Sequence, residues 1–494
     1  MSPSRLLLVK VGTEPGLESI VDQLRQLLPK VTLFGVTTDN ESTETLYDVA
    51  VAKVGDTTLG SYPELARNSL FVRPELYEFV MENESALIRM CERVALHDLT
   101  TVQKPHFTTQ MFRNTFDDRQ QLVLRQFAFW DHVFRSYEID VVVAQNYGHN
   151  LWDFALETVA RSHSIPYMFF HEVRPFLGSL YICESLTDLD DLSFGRGVIA
   201  EARSRGWYLG DSTERESQML NSAGIGESTV EGKLEGVDSR RGTRLRFLRR
   251  VSYYSNHPVR RIRMMTKRRT STYSSQLEER SVSTGNVPEK YVFMELQSQP
   301  NGTTARKGWM YADLREMVAH VAHSLPDGQS LVVRESSRQW SRLYPRRSGF
   351  WKSIAAVPKV VVVDSALSVD ELVENASAIV ETSYSTLAFK AASRGVPVVV
   401  LGHTHLRGIL GIFAVGVHGD LTRAFSQAAE YASNTPSPIA IQQSIARWVT
   451  EAKSGTVEGA LSSLPSSVVD RRSYIDRVTR NVAGVIAVWV LRKG

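Results

Sequence analysis

Two short stretches, NYGHNLWD from Asn146 and HEVRPF from His171, set histidines, amides and a carboxylate directly behind apolar runs. A carboxylate or imidazole there can take a proton from a hydroxyl group, and Glu172 is the first candidate for such a base, His149 the second. Asn146, Asn150, His171 and Arg174 would hold the molecule that carries the hydroxyl. A local reading stays open beside this one. Glu172 and Arg174 can pair with each other, His171 can be an interior histidine, and Asp153 can cap or pair within its own helix.

Further along, QSQPNGTTARKG offers Gln297, Gln299, Thr303 and Thr304 around Gly302, a loop able to present amides and hydroxyls to a phosphate or sugar, or simply to turn. TSYSTLAFKAASRG crowds Thr382, Ser383, Ser385 and Thr386 at the start of a helix. Hydroxyls and unbonded N–H groups at that end suit an anion, and a role for Ser383 or Ser385 as helix cap alone stays open. RESS places Arg334 and Glu335 behind another apolar run, where Arg334 can meet a phosphate or a carboxylate. His403 and His405 in HTHLRG could reach a nucleotide, and with no carboxylate or third ligand nearby in sequence they do not suggest a metal site.

What positions these residues is a repeated order of strand and helix. Leu6 to Val11 reads as a strand, and Leu17, Ile20, Val21, Leu24, Leu27 and Leu28 then follow at helical spacing. Strands are predicted at Val31, near Tyr47, over Asp140 to Ala144 and over Tyr167 to Phe170. A helix is predicted over Leu151 to Ser162, and long amphipathic segments run from Pro74 to Val94 and from Thr109 to Tyr137. From Lys290 the alternation is clearer still: YVFMEL, SLVVRE, VVVVD, AIVET and PVVVLG are strands separated by helical segments. Strands that are apolar throughout belong to parallel sheets covered on both faces, and in such sheets ligands sit beyond the carboxyl ends of the strands.

The expected organisation is a Rossmann-like unit over 1–187, a linker or insertion over 188–289, a second Rossmann-like unit over 290–419 and helices over 420–494. In the linker, Arg240 to Arg269 carries twelve basic residues and no acidic one, with Phe247, Leu248, Val251, Tyr253 and Tyr254 between the charges. That pattern fits a solvated arm or a contact to an anionic membrane surface, with RNA a weaker option.

The bulk numbers exclude several classes. A chain of 494 residues that is 43% hydrophobic and 22% charged folds into more than one core rather than staying disordered. A net charge of +3 gives no reason to expect nucleic acid. Cys91 and Cys183, far apart and outside any CxxC pair, speak against a disulfide framework or zinc site and for a reducing, cytoplasmic compartment. The N-terminus reads as a first strand rather than a signal peptide, and the C-terminal NVAGVIAVWVLRKG has about half the apolar length of a membrane span. DLDD at Asp188 falls in the irregular region and reads as solvated. With no DxD motif at a strand end, the expected chemistry needs neither a metal nor a cofactor.

VFMELQSQPNGTT, LVVRE, VVVVD and ELVENASAIVETSYSTLAFKAASRGVPVVVLG together resemble the capsule polysaccharide biosynthesis family, which includes retaining β-Kdo transferases that start capsule on a lipid anchor. The resemblance covers Tyr291 to Leu401 well and the first unit loosely. It departs from the family at Asn301, where the family usually has an acidic residue, and at RESS, where it has Lys-Glu-His-Pro. The resemblance implies an α/β chain of GT-B type: two Rossmann-like, doubly wound parallel sheets facing a cleft, with a helical C-terminal segment. It implies a metal-independent glycosyltransferase with a nucleotide-sugar donor at Gln297, Gln299, Thr303, Thr304, Arg334, Glu335, Thr382, Ser383, Ser385, Thr386 and His403. A glycan or lipid-linked acceptor would then lie at Asn146, Asn150, His171 and Arg174, and the basic run Arg240 to Arg269 would let the enzyme touch the inner face of the membrane from the cytoplasm. A nucleotide-sugar epimerase and a non-catalytic scaffold that binds glycan or a synthase partner remain the alternatives.

Overall fold

The computed structural model describes residues 5–13, 17–37, 45–53, 76, 116–148, 151–172, 179–191, 193–211, 273–283, 286–297, 308, 311, 313–336, 339, 346, 348–383, 385–416, 419–459 and 471–493. His149, Asn150, Arg174, Gln299, Thr303, Thr304 and the basic run lie outside them, as does nearly all of the predicted segment from Pro74 to Val94.

Two sheets organise the chain. The first half contributes β1 (Arg5–Val9), α1 (Ser19–Leu27), β2 (Thr32–Thr37), β3 (Val49–Lys53), α2 (Phe116–Tyr137), β4 (Val141–Ala144), α3 (Leu151–Ser162), β5 (Tyr167–Glu172), β6 (Ser179–Cys183) and α4 (Ser193–Ser204). A helix over 273–282, α5, leads to the second sheet. There follow β7 (Tyr291–Leu296), α6 (Leu314–Ser324), β8 (Ser330–Glu335), α7 (Phe350–Ala355), β9 (Val360–Val363), α8 (Val369–Glu374), β10 (Ala378–Glu381), α9 (Thr386–Ser393), β11 (Val398–Val400) and β12 (Ile412–Ala414). The chain ends in α10 (Leu421–Ser433), α11 (Pro438–Gly455), β13 (Thr456–Glu458) and α12 (Arg471–Arg492).

The first sheet runs β13-β6-β5-β4-β1-β2-β3 and the second β12-β11-β10-β7-β8-β9. All pairs in the second are parallel. In the first, only β6 runs against its neighbours β5 and β13. Each sheet therefore starts in its middle, moves outward to one side and then returns to the other. This is the doubly wound α/β architecture that the resemblance implies, and in each sheet the order reverses at one point, between β1 and β4 and between β7 and β10.

Local chemistry explains the helix starts. Asp313, Ser368, Ser385, Asp420 and Ser437 are extended residues whose side chains accept a first-turn backbone N–H of α6, α8, α9, α10 and α11, and Pro438 follows Ser437. Each such cap contributes about 1 kcal/mol.

The C-terminal apolar run is core. Val482, Ala483 and Val485 to Val490 of α12 are buried in the cluster that also holds Leu6, Leu8, Ile20, Val21 and Leu24. Asn481, itself buried, accepts Leu209 N at 2.8 Å and donates to Gly210 O at 3.0 Å. A Cβ on Gly484 would stand 2.2 Å from Trp207 O, so the absence of a side chain there lets α12 seat. Among the described residues no helix is long and apolar enough to cross a membrane.

Five of these elements were not anticipated: β6, β12, β13, α4 and α5. β6 is the partner that carries β5 two residues past Phe170, pairing His171 with Tyr181 and Glu172 with Leu180. His171 and Glu172 thus end a strand instead of opening a loop.

Candidate functional site

In the second sheet the reversal point brings the carboxyl ends of β7 and β10 side by side. Gln297, just past β7, reaches Glu381 at the end of β10, its Nε2 donating to Glu381 Oε2 at 3.4 Å. Thr382 and Ser383 follow and are 1% and 3% exposed. Thr382 Oγ1 is buried with no hydrogen-bond partner among the described residues. A hydroxyl left so usually marks a missing partner, since burying it unbonded costs about 1–3 kcal/mol. Ser385 then caps α9, accepting Ala388 N at 2.9 Å, and stands half-buried with Thr386 exposed beyond it. Gln297, Thr382, Ser383, Ser385 and Thr386 form one group around the start of that helix.

Arg334 and Glu335 lie at the next strand end, and both are engaged. The Arg334 guanidinium donates to Glu295 Oε1 at 2.6 Å, to Ser365 O at 2.6 Å and to Leu367 O at 3.1 Å. Glu335, with no exposed side-chain surface, takes Arg346 on both oxygens at 2.8 Å and accepts Ser336 N at 3.0 Å. Arg346 also donates to Gln297 O at 2.9 Å, so this pair fixes the backbone where the chain leaves β7.

The acids here are perturbed. Burial pushes Glu381 up to about 8, helped by the neighbouring Glu295 charge. Burial and the Glu335 charge push Glu279, on α5, up to about 7. Glu335 is raised by burial against the pull of Arg346. Carboxyls displaced in this way cluster where a site handles charge or protons. Glu279 and Glu381 were not among the sequence candidates, and neither was Arg346. Glu381 does stand directly before the TSYST run, and a carboxyl closing an apolar strand next to a hydroxyl-rich helix start was the signal available.

On the first sheet, Asn146 is exposed and its Oδ1 accepts Tyr147 N at 2.9 Å. Tyr147 meets His171 edge-on with ring centroids 5.5 Å apart, which brings the ends of β4 and β5 together. His171 is 4% exposed and Glu172 half-buried. Lys10, just past β1, was also missed by sequence reasoning. It adopts φ of 60°, a strained value for a side chain of its size, and its Nζ lies 4.6 Å from the centre of the Trp152 ring.

The sheets meet at His403. Its Nδ1 is 2.9 Å from Asp190 Oδ2, Thr404 N donates to Asp190 Oδ1 at 2.9 Å, and Arg407 Nε lies 3.2 Å from the same oxygen. Burial alone would raise Asp190, but the bonds from His403 and Thr404 and the Arg407 charge hold it below the usual carboxylate range. Next to it, the His405 ring lies tilted against Tyr181, centroids 5.4 Å apart. The DLDD run expected to be solvated is therefore a junction: a 3-10 turn, Leu186–Asp190, capped by Ser185 and Asp188 and ending on the carboxylate that joins the halves.

No protein-family model and no curated protein matches the chain. Solved structures that resemble it include UDP-GlcNAc 2-epimerase from Neisseria meningitidis bound to UDP-GlcNAc, at 11% identity over 91% of this chain and 99% of that one, with TM-score 0.23. KpsC from Thermosulfurimonas dismutans, a β-Kdo 2,7 transferase, is 9% identical over 64% of this chain and 88% of its own, with TM-score 0.28. The glycotransferase of kitacinnamycin is 10% identical over 93% and 97%, with TM-score 0.22.

Proposed function

We propose that the protein is a glycosyltransferase of surface or capsule polysaccharide synthesis, moving a sugar from a nucleotide donor at the β7/β10 reversal point to a glycan or lipid-linked acceptor beside β4 and β5. One observation carries the reading. At the reversal point a Ser385-capped helix start adjoins the buried Thr382 hydroxyl, which has no partner among the described residues. Backbone N–H groups and hydroxyls gathered there suit a phosphate, and they would stabilise the charge that develops as a sugar leaves its nucleotide.

In this reading Gln297, Ser383 and Thr386 supply the remaining donor contacts, joined by Gln299, Thr303 and Thr304 of the same loop. Arg334, Glu335 and His403 shape the site through the bonds they already make. Glu172 is the base that takes the acceptor proton and His149 its alternate, with Asn146, Asn150, His171 and Arg174 on the acceptor. The reaction uses no metal or other cofactor. The basic run Arg240 to Arg269 holds the enzyme at an anionic membrane face on the cytoplasmic side.

A second reading, nucleotide-sugar epimerase, draws on the Glu381 and Glu295 carboxyls at the same place, because epimerisation needs an acid-base pair at the sugar and no acceptor. Thermal unfolding with CMP, UDP, GDP and dTDP, wild type beside Ser385→Ala, tests the shared nucleotide site. A nucleotide should raise the wild-type midpoint and raise that of the variant less, since a ligand confined to the native state stabilises it. If no nucleotide shifts the wild type, the reading fails. Incubation with the corresponding nucleotide sugar, with and without a glycan acceptor, then separates transfer from epimerisation by product.

A further inference from the structure

The charges at the carboxyl edge of the second sheet pair off with a remainder. Glu295 has Arg334 and Glu335 has Arg346. Glu381 has no cation within ion-pair distance among the described residues; its carboxyl meets only Gln297 Nε2, the Ser385 side chain and the field of Glu295. Among the described residues its neighbours offer nothing else. β11 brings Val398–Val400 and a backbone bond from Leu401 N, and α10 carries its charges, Arg423 and Glu430, on its exposed face. Within α9, Lys390 sits in the last turn, away from the capped end. Glu335 and Arg346 beyond β7 neutralise each other.

Ser385 is the link. The hydroxyl that caps α9 also draws the Glu381 carboxyl downward against its burial, so an anion at the helix start lies close to a buried acid. Two negative groups cannot share such a place without a counter-ion.

We infer that this site takes its phosphate ligand together with a proton held on Glu381, the neutral acid admitting an anion beside Ser385 and the ionised acid repelling it. The inference rests on the nucleotide reading above and adds to it a proton linkage. Glu381 is a positioning residue in this scheme, acting through Ser385 and by its charge. The ligand is a nucleoside phosphate or diphosphate, and affinity is highest while the proton is in place. Since burial and Glu295 set the protonation at about 8, binding is level near neutral pH and weakens above it.

The test is calorimetric binding of UDP, CMP and inorganic pyrophosphate to the full chain between about pH 7 and pH 9.5. Wild-type Kd should rise by up to roughly tenfold per pH unit above about 8, the slope expected of one linked proton. Glu381→Gln keeps the shape and cannot ionise, so its Kd should stay nearly level across the same range. Matching wild-type and variant profiles overturn the inference. If Glu381→Gln does not fold, proton uptake by the wild type is read instead at about pH 8.5, from binding heats in two buffers of different ionisation enthalpy. Uptake of a substantial fraction of a proton per ligand supports the linkage, and none overturns it. Binding with no proton linkage sinks only this inference, whereas no binding at any pH sinks the nucleotide reading and the linkage with it.

Discussion

Replacing Arg346 with Met should be among the most damaging single changes in the second sheet, and the size of the effect follows from Glu335. That carboxylate has no exposed side-chain surface, and Arg346 satisfies both its oxygens at 2.8 Å. Without the guanidinium, Glu335 must stay charged and unpaired in the interior or take up a proton. The second route is the cheaper. It costs about 1.4 kcal/mol for each pH unit above an ordinary carboxyl value near 4.5, at most about 3.4 kcal/mol at pH 7 because burial already raises Glu335 in the wild type. The lost bond to Gln297 O adds about 1 kcal/mol. The sum sits inside the range of about 3–5 kcal/mol expected for breaking a buried pair from one side. For a unit of this size it should lower Tm by roughly 8–16 °C. Because the cost is that of a proton, it should shrink to about 2 kcal/mol at pH 5, and Glu335→Gln added to Arg346→Met should recover most of it at pH 7. Thermal unfolding of wild type, single and double variants at the two pH values reads this directly. A single variant less than about 1 kcal/mol below wild type, or a loss equal at both pH values, would show that Glu335 is not held by Arg346.

Three other changes probe different parts of the chain. Glu381→Gln should gain stability over the wild type as pH rises: the folded carboxyl holds its proton to about 8 while the unfolded one releases it near 4.5, so ionisation disfavours the wild-type fold progressively between these values. The Tm gap should be near zero at pH 4 and largest at pH 8 to 9, and a gap of constant size would contradict the assignment. Gly484→Ala, whose Cβ would press to 2.2 Å from Trp207 O, should lower the Tm of the first-sheet half by several degrees and expose Trp489 to a fluorescence quencher. An unaffected Tm would mean that α12 shifts without loss. Asp190→Asn removes the charge that holds His403, Thr404 and Arg407, and should cost about 1–2 kcal/mol at the junction. Small-angle scattering should then show a larger radius of gyration, and an unchanged one would place the hold between the halves elsewhere.

The second sheet was readable almost residue by residue. YVFMEL and SLVVRE are β7 and β8 as written, while VVVVD and AIVET overrun β9 and β10 by one residue each. The reason is physical: a strand buried on both faces must be apolar throughout, and Ser or Asp before a helical run marks its first turn. LWDFALETVARS, likewise, is α3 in full. What escaped notice lacked those marks. β12 is three half-buried residues, and β6 runs antiparallel, joined to β5 across a stretch with no helix to announce a new strand. α4 contains two glycines, which weaken a helical pattern, and Gly195 is needed because a Cβ there would stand 2.2 Å from Gly455 O.

Site residues are harder to read because their meaning is set by partners far away in the chain. Gln297 and Glu381 are 84 residues apart, and Asp190 and Thr404 are 214 apart. From sequence, Arg334 could meet either a phosphate or a carboxylate; in the fold it is held by Glu295, Ser365 and Leu367. The same pairing decides what is left over. Once Arg334 and Arg346 have taken Glu295 and Glu335, the carboxyl at the end of β10 has no counter-ion within reach among the described residues and must keep its proton near neutral pH. Thr382 Oγ1, a hydroxyl without a partner among the described residues, follows directly on it, and the open turn of α9 begins at Ser385. Composition shows the acids and bases nearly balanced, 54 against 57, and so conceals a local excess of acid whose consequence is chemical: an anion can enter there only if the proton stays.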